Sequence, residues 1–546
     1  MTVGDTGLPV SAAPAGNVDE AVREPGSPAA GDRPVKPSRP GPDRPGVAVV
    51  QGLVGSLMIF IGSLGVGWLA NGSALLRNPL MIMMRTDANG VIASTALLTL
   101  GAMLLIRSWL RLGQRLAGWG APARRPVLWA VAAWTAPLLA AVPIFSRDVY
   151  AYIGQGRLMV EGMNPYTTGI SSLSNWYSLG ADQAWAQNAT PYGPYFLWLE
   201  QLVVSVTGAS PETSVFLFRL LAVAGVALCA YYVPKLAALH GIDPARALWL
   251  SVANPLFLIS FVASAHNDAL MVGLALAGTY YAATKRPVLG VVLVTASIGI
   301  KPITVVLLPF IGLLWAGINA SWPRKFLAWA KTLLLAGGLL WVTGLVNGFG
   351  FDWIGVISNT GEGWMTYAPT GFLGMVVQSL VDAVGLDGWA AAKLLRSFGR
   401  LVAIGLVIWL MFKGDDARLV RRMALAFSAV VLLSPVIQPW YVLWLIPLLA
   451  VTGIRDDWQT KAVYVVVVYF VVMGAQDQLS VLFFVDLQIG APTVAMLVAL
   501  AFLFYLLFLD PKTRRLVATF SRAGAAPAWA VPARWRKKSQ LPGAGR

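Results

Sequence analysis

An aspartate stands where a long apolar segment gives way to a polar, aromatic one. Asp148 follows the apolar residues 127–144 and lies near the start of residues 146–195, a stretch rich in tyrosine and tryptophan. Only 12% of the chain is charged, and a carboxylate at a membrane boundary carries a desolvation cost. The pattern favours chemistry on a hydroxyl-rich substrate carried by a lipid. The alternative is an ordinary helix-end acid paired with Arg147.

Asp148 is the candidate general base. A glycosyl acceptor hydroxyl loses its proton as it attacks an anomeric carbon, and a carboxylate within hydrogen-bond reach can accept that proton. Asp268 follows His266 in the run His266-Asn267-Asp268. It could position the acceptor or stabilise a nearby cation, or it could be a simple helix N-terminal acid, while a lone histidine is often just a satisfied polar residue.

Two cations are candidates for binding a phosphate. Lys301 lies between apolar segments and therefore needs a partner. A lipid phosphate at the membrane boundary would suit it and would be stabilised as a leaving group, although an ion pair with Asp268 is the alternative. Arg219, within an apolar run, is a second possible phosphate ligand with a similar structural alternative. The aromatic side chains of Tyr192, Trp440 and Tyr441 could stack on sugar rings, or belong to a membrane-interface belt.

The composition predicts an all-α polytopic membrane protein. The chain has 546 residues, of which 57% are hydrophobic, and its mean hydropathy is +0.67. At about 20 residues per helix, this length holds ten or more spans. A single cysteine, Cys229, and two histidines exclude a disulfide framework and histidine-rich metal sites.

The net charge of +16 does not require a nucleic-acid partner. Much of it lies in short loops and a C-terminal tail, where basic residues mark the cytoplasmic side and attract anionic membrane lipids. Residues 107–125 contain five arginines and no acid, which predicts a cytoplasmic position. A span at about residues 127–145 then places Asp148 on the opposite, extracytoplasmic side of the cell membrane.

The same reasoning divides the whole chain. Residues 1–46 predict a disordered cytoplasmic tail, residues 47–510 a multi-pass domain of roughly thirteen spans, and residues 511–546 a basic cytoplasmic tail. Two long loops, 146–210 and 347–385, fall on the extracytoplasmic side. That topology holds only if the short apolar stretches 196–206 and 372–380 lie along the surface or re-enter without crossing. No inverted repeats of the transporter type are evident.

Charge alone sets this topology, yet it gathers the unusual polar motifs on the extracytoplasmic face. They are Arg147-Asp148, Asn164-Pro165-Tyr166, His266-Asn267-Asp268, Lys301 and Gln438-Pro439-Trp440-Tyr441. The convergence favours a catalytic role for Asp148. No Walker A loop occurs, no G-x-G-x-x-G opens a helix and no D-x-D lies in the outer loops. ATP-driven chemistry, dinucleotide chemistry and a metal-held nucleotide sugar are therefore not supported.

These motifs resemble a known family. The chain is similar to GT-C glycosyltransferases, and within them to the actinobacterial polyprenol-phosphomannose-dependent α-1,6-mannosyltransferases of lipomannan and lipoarabinomannan assembly. The resemblance covers about residues 47–510. It rests on Ser146-Arg147-Asp148-Val149-Tyr150-Ala151-Tyr152, Gly162-Met163-Asn164-Pro165-Tyr166, Pro191-Tyr192-Gly193-Pro194, His266-Asn267-Asp268-Ala269-Leu270-Met271, Ile300-Lys301-Pro302 and Gln438-Pro439-Trp440-Tyr441.

The resemblance implies a polyprenyl-phosphate-mannose donor, a lipid-anchored mannan acceptor and inversion in a single displacement, with no metal or other cofactor. Asp148 would be the base and polyprenyl phosphate the leaving group. Many relatives outside this subfamily carry paired acids here, whereas Arg147 precedes a single acid in this chain. The acceptor or the sugar would be contacted by Arg147, Tyr152, Asn164, Tyr166, Tyr192, His266, Asn267, Asp268, Gln438, Trp440 and Tyr441.

Several hypotheses stay open at this point. The family contains two related enzymes, for earlier and later stretches of the mannan backbone, and the residues do not separate them. An arabinosyl- or glucosyltransferase using another polyprenyl-phosphate sugar would keep the class and change the sugar. A flippase or transporter of lipid-linked sugars would instead favour acids near the membrane midplane and two matching halves. The polar motifs lie at one boundary, which favours an enzyme.

Overall fold

The computed structural model describes residues 45–116, 118–359 and 365–518. These residues fold into helices joined by loops, and no β-strand occurs among them. The all-α polytopic fold class is confirmed. Of the two predicted tails, 1–46 and 511–546, residues 1–44 and 519–546 lie outside the described residues, whereas a helix begins at Pro45 and another covers Pro511–Ala518.

The first helices pack tightly because small residues face each other. A Cβ atom added to Gly55 would lie 2.8 Å from the carbonyl oxygen of Gly101, the kind of close approach that small residues permit between membrane helices. The side chain of Asp87 accepts a hydrogen bond from the backbone of Gly90 at 3.1 Å and begins the longest of these helices. The helices are α1 (Pro45–Val66), α2 (Pro79–Thr86), α3 (Ala88–Arg115) and α4 (Ala121–Leu138).

The predicted loop 146–195 does not lack regular structure. It begins with a helix of 13 residues that starts at Asp148. The apolar stretch 196–206 forms a helix that packs against it, and Glu200, which favoured a surface position in the sequence, has a fully buried side chain. The course of this stretch relative to the membrane stays a prediction. The helices are α5 (Asp148–Val160), α6 (Gln183–Ala186) and α7 (Pro194–Thr207).

The next helices carry the remaining polar motifs of the first half of the chain. Prolines stand in the first turn of several of them, where the missing N–H costs no hydrogen bond. They are α8 (Pro211–Leu239), α9 (Pro244–Ser251), α10 (Pro255–Leu258), α11 (Asp268–Ala283), α12 (Pro287–Ile300), α13 (Leu308–Ala316) and α14 (Trp322–Asn347).

The apolar stretch from residue 244 to residue 263 is not one straight helix. Helix α9 and the piece Pro255–Ala263 meet at an angle of 57°. Pro255 has no N–H to continue the helix, and the side chain of Asn254 caps the new start by accepting from the backbone of Leu256 at 2.9 Å. The piece ends in a π-helical turn, Ile259–Ala263.

The last part of the chain supplies one wall of the candidate site. Its helices are α15 (Asp352–Asn359), α16 (Pro369–Ala383), α17 (Gly388–Phe412), α18 (Leu419–Leu432), α19 (Val442–Thr452), α20 (Trp458–Asp477), α21 (Ala491–Phe504) and α22 (Pro511–Ala518). Helix α16 contains the predicted surface stretch 372–380.

Seven helices of the described chain are long and apolar enough to cross a membrane, or eight if the bent pair counts as one span. They are Pro45–Val66, Ala88–Arg115, Pro211–Leu239, Trp322–Asn347, Gly388–Phe412, Trp458–Asp477 and Ala491–Leu509. Shorter apolar helices cover Pro287–Ile300, Pro302–Ala316 and Pro439–Thr452. The total of roughly thirteen spans stays a prediction.

Candidate active site

Asp148 is the first residue of α5. Phe145 precedes it with a φ of 64°, a left-handed conformation that costs a side-chain-bearing residue about 1 kcal/mol. Ser146 then accepts a hydrogen bond from the backbone N–H of Asp148 at 3.1 Å. This tight turn holds the Asp148 side chain inside the protein, where only 7% of the residue is exposed.

A second segment enters the site in the same way. Ala265 has a φ of 58° and lies two residues after the π-helical turn Ile259–Ala263. His266 and Asn267 come next, and Asp268 is the first residue of α11. Both acids therefore stand at helix N-termini, where the aligned peptide dipoles favour negative charge.

Lys301 follows the last residue of α12 and reaches the second acid. Its Nζ donates a hydrogen bond to Oδ1 of Asp268 at 2.9 Å. The same nitrogen lies 5.6 Å from the ring centre of Tyr192, 5.2 Å from that of Tyr441 and 5.0 Å from that of Trp444. An ammonium over aromatic faces is stabilised electrostatically, so Lys301 is enclosed by one carboxylate and three rings.

Asp148, His266, Asp268 and Lys301 form one group, here called the acid–histidine cluster. Nδ1 of His266 lies 3.6 Å from Oδ2 of Asp148 and 3.7 Å from Oδ2 of Asp268. The hydroxyl of Tyr192 donates to Oδ2 of Asp148 at 3.4 Å. The two carboxylates thus approach the same imidazole nitrogen from different helices, at distances that need only a small closure to become hydrogen bonds.

Burial sets the protonation of the histidine. His266 is fully buried, and this desolvation lowers its pKa from the ordinary value although the carboxylates of Asp148 and Asp268 act in the opposite direction. Burial disfavours the charged form of Lys301, but Asp268, Tyr441 and Asp148 together outweigh this effect, and the pKa of Lys301 is raised. At neutral pH the histidine is uncharged and the lysine is a cation.

Aromatic rings line the cluster. The ring of Trp440 lies against that of His266, with centroids 4.0 Å apart, and Tyr441 stacks on Trp444 at 4.0 Å. Tyr152 packs edge-on against Tyr192, and its hydroxyl accepts a hydrogen bond from the backbone of Asn267 at 3.5 Å. The wall therefore joins residues before α19 to the acids at the starts of α5 and α11.

The residues of the site do not satisfy all of their own hydrogen-bonding groups. Seven buried polar atoms of the site have no hydrogen-bond partner within the part of the chain that the structure describes. They are Nδ1 and Nε2 of His266, Nδ2 and Oδ1 of Asn267, Oδ2 of Asp268, and Nε1 of Trp440 and of Trp444. Buried polar groups without partners are costly, and a hydroxyl-rich ligand would satisfy them.

Asp148 does stand at a helix end, but Arg147 does not pair with it, so the ion pair in the alternative drawn from the sequence is not what the structure shows. Its guanidinium donates to the carbonyls of Gly180 and Ala181 and to the carboxylate of Asp182 at 3.3 Å, and it lies over the ring of Trp68. Arg147 holds the outer segment in place, and no lysine or arginine of the described residues forms an ion pair with Asp148.

Three further predicted sugar-binding residues have hydrogen-bond partners outside the acid–histidine cluster. Asn164 donates from its amide to Asp352 at 2.9 Å, and the hydroxyl of Tyr166 donates to the carbonyl of Tyr192 at 3.0 Å. Gln438 is half-buried and accepts a hydrogen bond from the backbone of Tyr441 at 2.9 Å. Sugar binding by these residues stays a prediction.

Arg219, a predicted phosphate ligand, has its guanidinium occupied. It donates to the carbonyls of Leu139, Val262 and Ala263 at 3.0, 3.2 and 2.8 Å. The residue also borders a cavity of about 190 Å³ together with Glu212. These contacts hold the π-helical turn against the segment that leads to Asp148, and phosphate binding by Arg219 is not needed to explain them.

Trp444 was not singled out from the sequence. Its ring completes the enclosure of Lys301 and its indole nitrogen is one of the unpartnered atoms. The sequence contained a signal, because Trp444 lies one helical turn after Trp440, which places both rings on one side of a helix.

In residues 45–116, 118–359 and 365–518, no group of three or more histidine, cysteine, aspartate or glutamate side chains could hold a metal ion.

Comparisons with known proteins agree with this architecture. Residues 49–317 match the family described as "Alpha-(1->6)-mannopyranosyltransferase, N-terminal domain", and residues 369–508 match "MptB C-terminal domain". The acid–histidine cluster lies in the first matched part, whereas Trp440 and Tyr441 lie in the second.

Curated relatives match most of the chain. It is 30% identical to the "Probable alpha-(1->6)-mannopyranosyltransferase" of Mycolicibacterium smegmatis, over 83% of this chain and 87% of that protein. It is 31% identical to alpha-(1->6)-mannopyranosyltransferase A of Mycobacterium tuberculosis, over 72% and 78%. Identity to the enzyme of the same name from Corynebacterium glutamicum is 29%, over 72% and 85%. No solved structure matches the chain.

Proposed function

Because the chain belongs to the alpha-(1->6)-mannopyranosyltransferase family, we propose that it transfers mannose from polyprenyl-phosphate-mannose to an α-1,6-mannan acceptor. The acceptor is anchored in the membrane, and transfer takes place on the extracytoplasmic face of the cell membrane. The distribution of basic residues along the chain supports that orientation.

One observation carries the mechanism. Among the described residues, Asp148 is a buried carboxylate without an ion pair to a lysine or arginine, and it lies beside His266, whose ring nitrogens have no hydrogen-bond partner. A free carboxylate in such a place can accept the proton of a sugar hydroxyl. The hydroxyl of Tyr192 orients it, and the seven unpartnered atoms offer hydrogen bonds to the sugars.

The reaction is a single displacement with inversion. The acceptor hydroxyl oxygen attacks the anomeric carbon of mannose, its proton passes to Asp148, and the bond from that carbon to the phosphate oxygen breaks. The electron pair leaves with polyprenyl phosphate, which needs no general acid because phosphate is a good leaving group. We expect no metal requirement.

Transfer by the purified protein in detergent tests the proposal. Radiolabelled polyprenyl-phosphate-mannose is offered with a short α-1,6-mannoside and with a lipid-anchored mannoside, each with and without EDTA. We expect chelator-insensitive transfer that forms an α-1,6 linkage. Transfer only from the arabinose or glucose derivative of the same lipid would replace the sugar in the proposal, and movement of lipid-linked mannose across vesicles without transfer would favour a flippase.

A further inference from the structure

The charge of Lys301 is already neutralised in the resting site. Its ammonium is held at 2.9 Å by Asp268 and enclosed by three aromatic rings, and the acid is fully buried while Lys301 is only 9% exposed. In such surroundings two opposite charges attract each other far more strongly than in water. A phosphate approaching Lys301 therefore competes with the carboxylate of Asp268.

The other carboxylate oxygen of Asp268 lies on the side of Asp148, the proposed base, with His266 between them. Oδ2 of Asp268 has no hydrogen-bond partner among the described residues and faces Nδ1 of His266, which also faces Oδ2 of Asp148. A single nitrogen thus stands between two carboxylates at nearly equal distances. The arrangement forms a continuous line of proton-binding groups from Asp148 to the partner of Lys301.

We propose that the proton taken by Asp148 passes through His266 to Asp268, and that the neutralised Asp268 releases Lys301 to the departing phosphate. This inference rests on the proposed function. The acceptor O–H proton bonds first to Asp148, then to Nδ1 of His266, and finally to Oδ2 of Asp268. The histidine and Asp148 return to their starting states, so each turnover moves one proton along the line.

The charges balance along this path. Before transfer, the site holds two carboxylates, one ammonium and a phosphodiester with one negative charge. Afterwards it holds one carboxylate, one neutral acid, one ammonium and a phosphomonoester with two negative charges, so the total is unchanged. The charge of Lys301 becomes available as the second negative charge develops on the leaving group, where it stabilises the transition state most.

The surroundings favour a relay through the histidine. The groups that face His266 are Asp148 from α5, Asp268 from α11, Lys301 from the end of α12 and the ring of Trp440. Tyr192 and Tyr441 face the same carboxylates and lysine. Burial lowers the pKa of His266, so an imidazolium formed in passing gives its proton up readily.

Asp268→Asn tests the release of Lys301, because asparagine is permanently neutral and similar in size. We expect polyprenyl phosphate to bind this variant about tenfold more tightly, corresponding to about 1.4 kcal/mol, while kcat falls about tenfold or more since the last proton acceptor is lost. Binding is measured by the thermal shift that short-chain polyprenyl phosphate produces in detergent. A structural ion pair predicts unchanged or weaker binding, and that result would overturn the proposal.

The matched control is Asp416→Asn, which neutralises another buried partner of a lysine, Lys325. Its affinity for polyprenyl phosphate should equal that of the wild type. Lys301→Met should lose the phosphate-dependent thermal shift. If the wild type transfers no mannose but Asp268→Asn still binds phosphate more tightly, the proposed function fails while the release of Lys301 stands.

His266→Phe tests the relay separately and decides the question if Asp268→Asn does not fold. Phenylalanine keeps a flat ring against Trp440 but cannot carry a proton. We expect kcat to fall at least tenfold, with the affinity for polyprenyl phosphate unchanged. A kcat at the wild-type level would show that the proton leaves Asp148 by another route.

Discussion

Two buried aspartates, each paired with a lysine, lie in different surroundings. Asp416 accepts hydrogen bonds from Lys325 at 2.7 Å, from Arg422 at 3.3 Å and from the backbone of Asn319 at 3.2 Å. Asp268 accepts from Lys301 at 2.9 Å, and its other oxygen has no partner among the described residues. Both are buried ion pairs, but only one is complete.

The difference separates a structural pair from a candidate functional one. Breaking a buried pair is costly, yet such a pair often adds little net stability compared with apolar residues. A pair with every oxygen occupied therefore indicates a fixed local structure. A pair that keeps one buried oxygen without a hydrogen bond, beside an imidazole and a second acid, is less stable than a complete pair. That oxygen is free to bind a ligand or a proton.

The largest expected effect is on turnover and comes from a residue of the acid–histidine cluster. Asp148→Asn should lower kcat about 10³-fold, because general-base catalysis contributes roughly 10²- to 10⁴-fold, while the melting temperature stays within error. Radiolabelled mannose transfer and thermal unfolding measure the two quantities. Asp182→Asn, which removes an exposed acid from the same outer segment, is the control. Near-normal turnover by Asp148→Asn would remove the carboxylate from the mechanism.

Breaking the Asp416–Lys325 pair should change the stability of the protein and leave its turnover unchanged. Asp416→Asn leaves Lys325 and Arg422 without their carboxylate and should lower the free energy of unfolding by about 2–4 kcal/mol. Turnover per folded molecule should be unchanged. Thermal unfolding in detergent, paired with transfer assays below the transition, measures both. A loss of turnover without a loss of stability would reverse the comparison between the two pairs.

A smaller effect should follow from the hydroxyl that orients the proposed base. Tyr192→Phe removes the hydrogen bond to Asp148 and should lower kcat about fivefold, the equivalent of a hydrogen bond worth about 1 kcal/mol. The donor KM should change less. Tyr464→Phe removes a buried hydroxyl near Trp109 and serves as the control. Equal kcat values for both variants would mean that Tyr192 acts only by packing.

The last expected effect is a dependence of stability on pH. Burial lowers the pKa of His266, so the unfolded chain binds a proton below about pH 6.5 that the folded chain resists. Stability from this group is present above about pH 6.5 and declines as the pH falls, by at most about 1.4 kcal/mol per unit. His266→Phe should lack this slope when melting temperatures are compared between pH 7.5 and 5.5. Parallel curves for both proteins would contradict the assignment.

Much of the site could be predicted because charge is scarce in an apolar chain. Asp148, Asp268 and Lys301 stand out against hydrophobic neighbours, and the alternation of basic loops places them on one side. The structure brings these three together with His266, Tyr192, Trp440 and Tyr441.

The remaining contacts depend on distant parts of the chain. Asn164 meets Asp352, 188 residues later, and Arg219 binds the carbonyl of Leu139, 80 residues earlier. No periodicity within either segment encodes such a pairing. The break at Asn254 and Pro255 could have been predicted from the sequence, because a capping residue before a proline marks the start of a helix. The long apolar stretch around it instead indicated one continuous helix.

The contact between the rings of Trp440 and His266 has an evolutionary consequence. The two rings come from the two separately matched parts of the chain, 49–317 and 369–508. A chimaera that takes residues 369–508 from a relative would keep both acids, the histidine and the lysine, but would exchange the aromatic face that presses on them. Recombination at the intervening segment 318–368 would therefore vary the aromatic face while Asp148, His266, Asp268 and Lys301 are inherited together, provided that the incoming segment presents a flat ring at the position of Trp440.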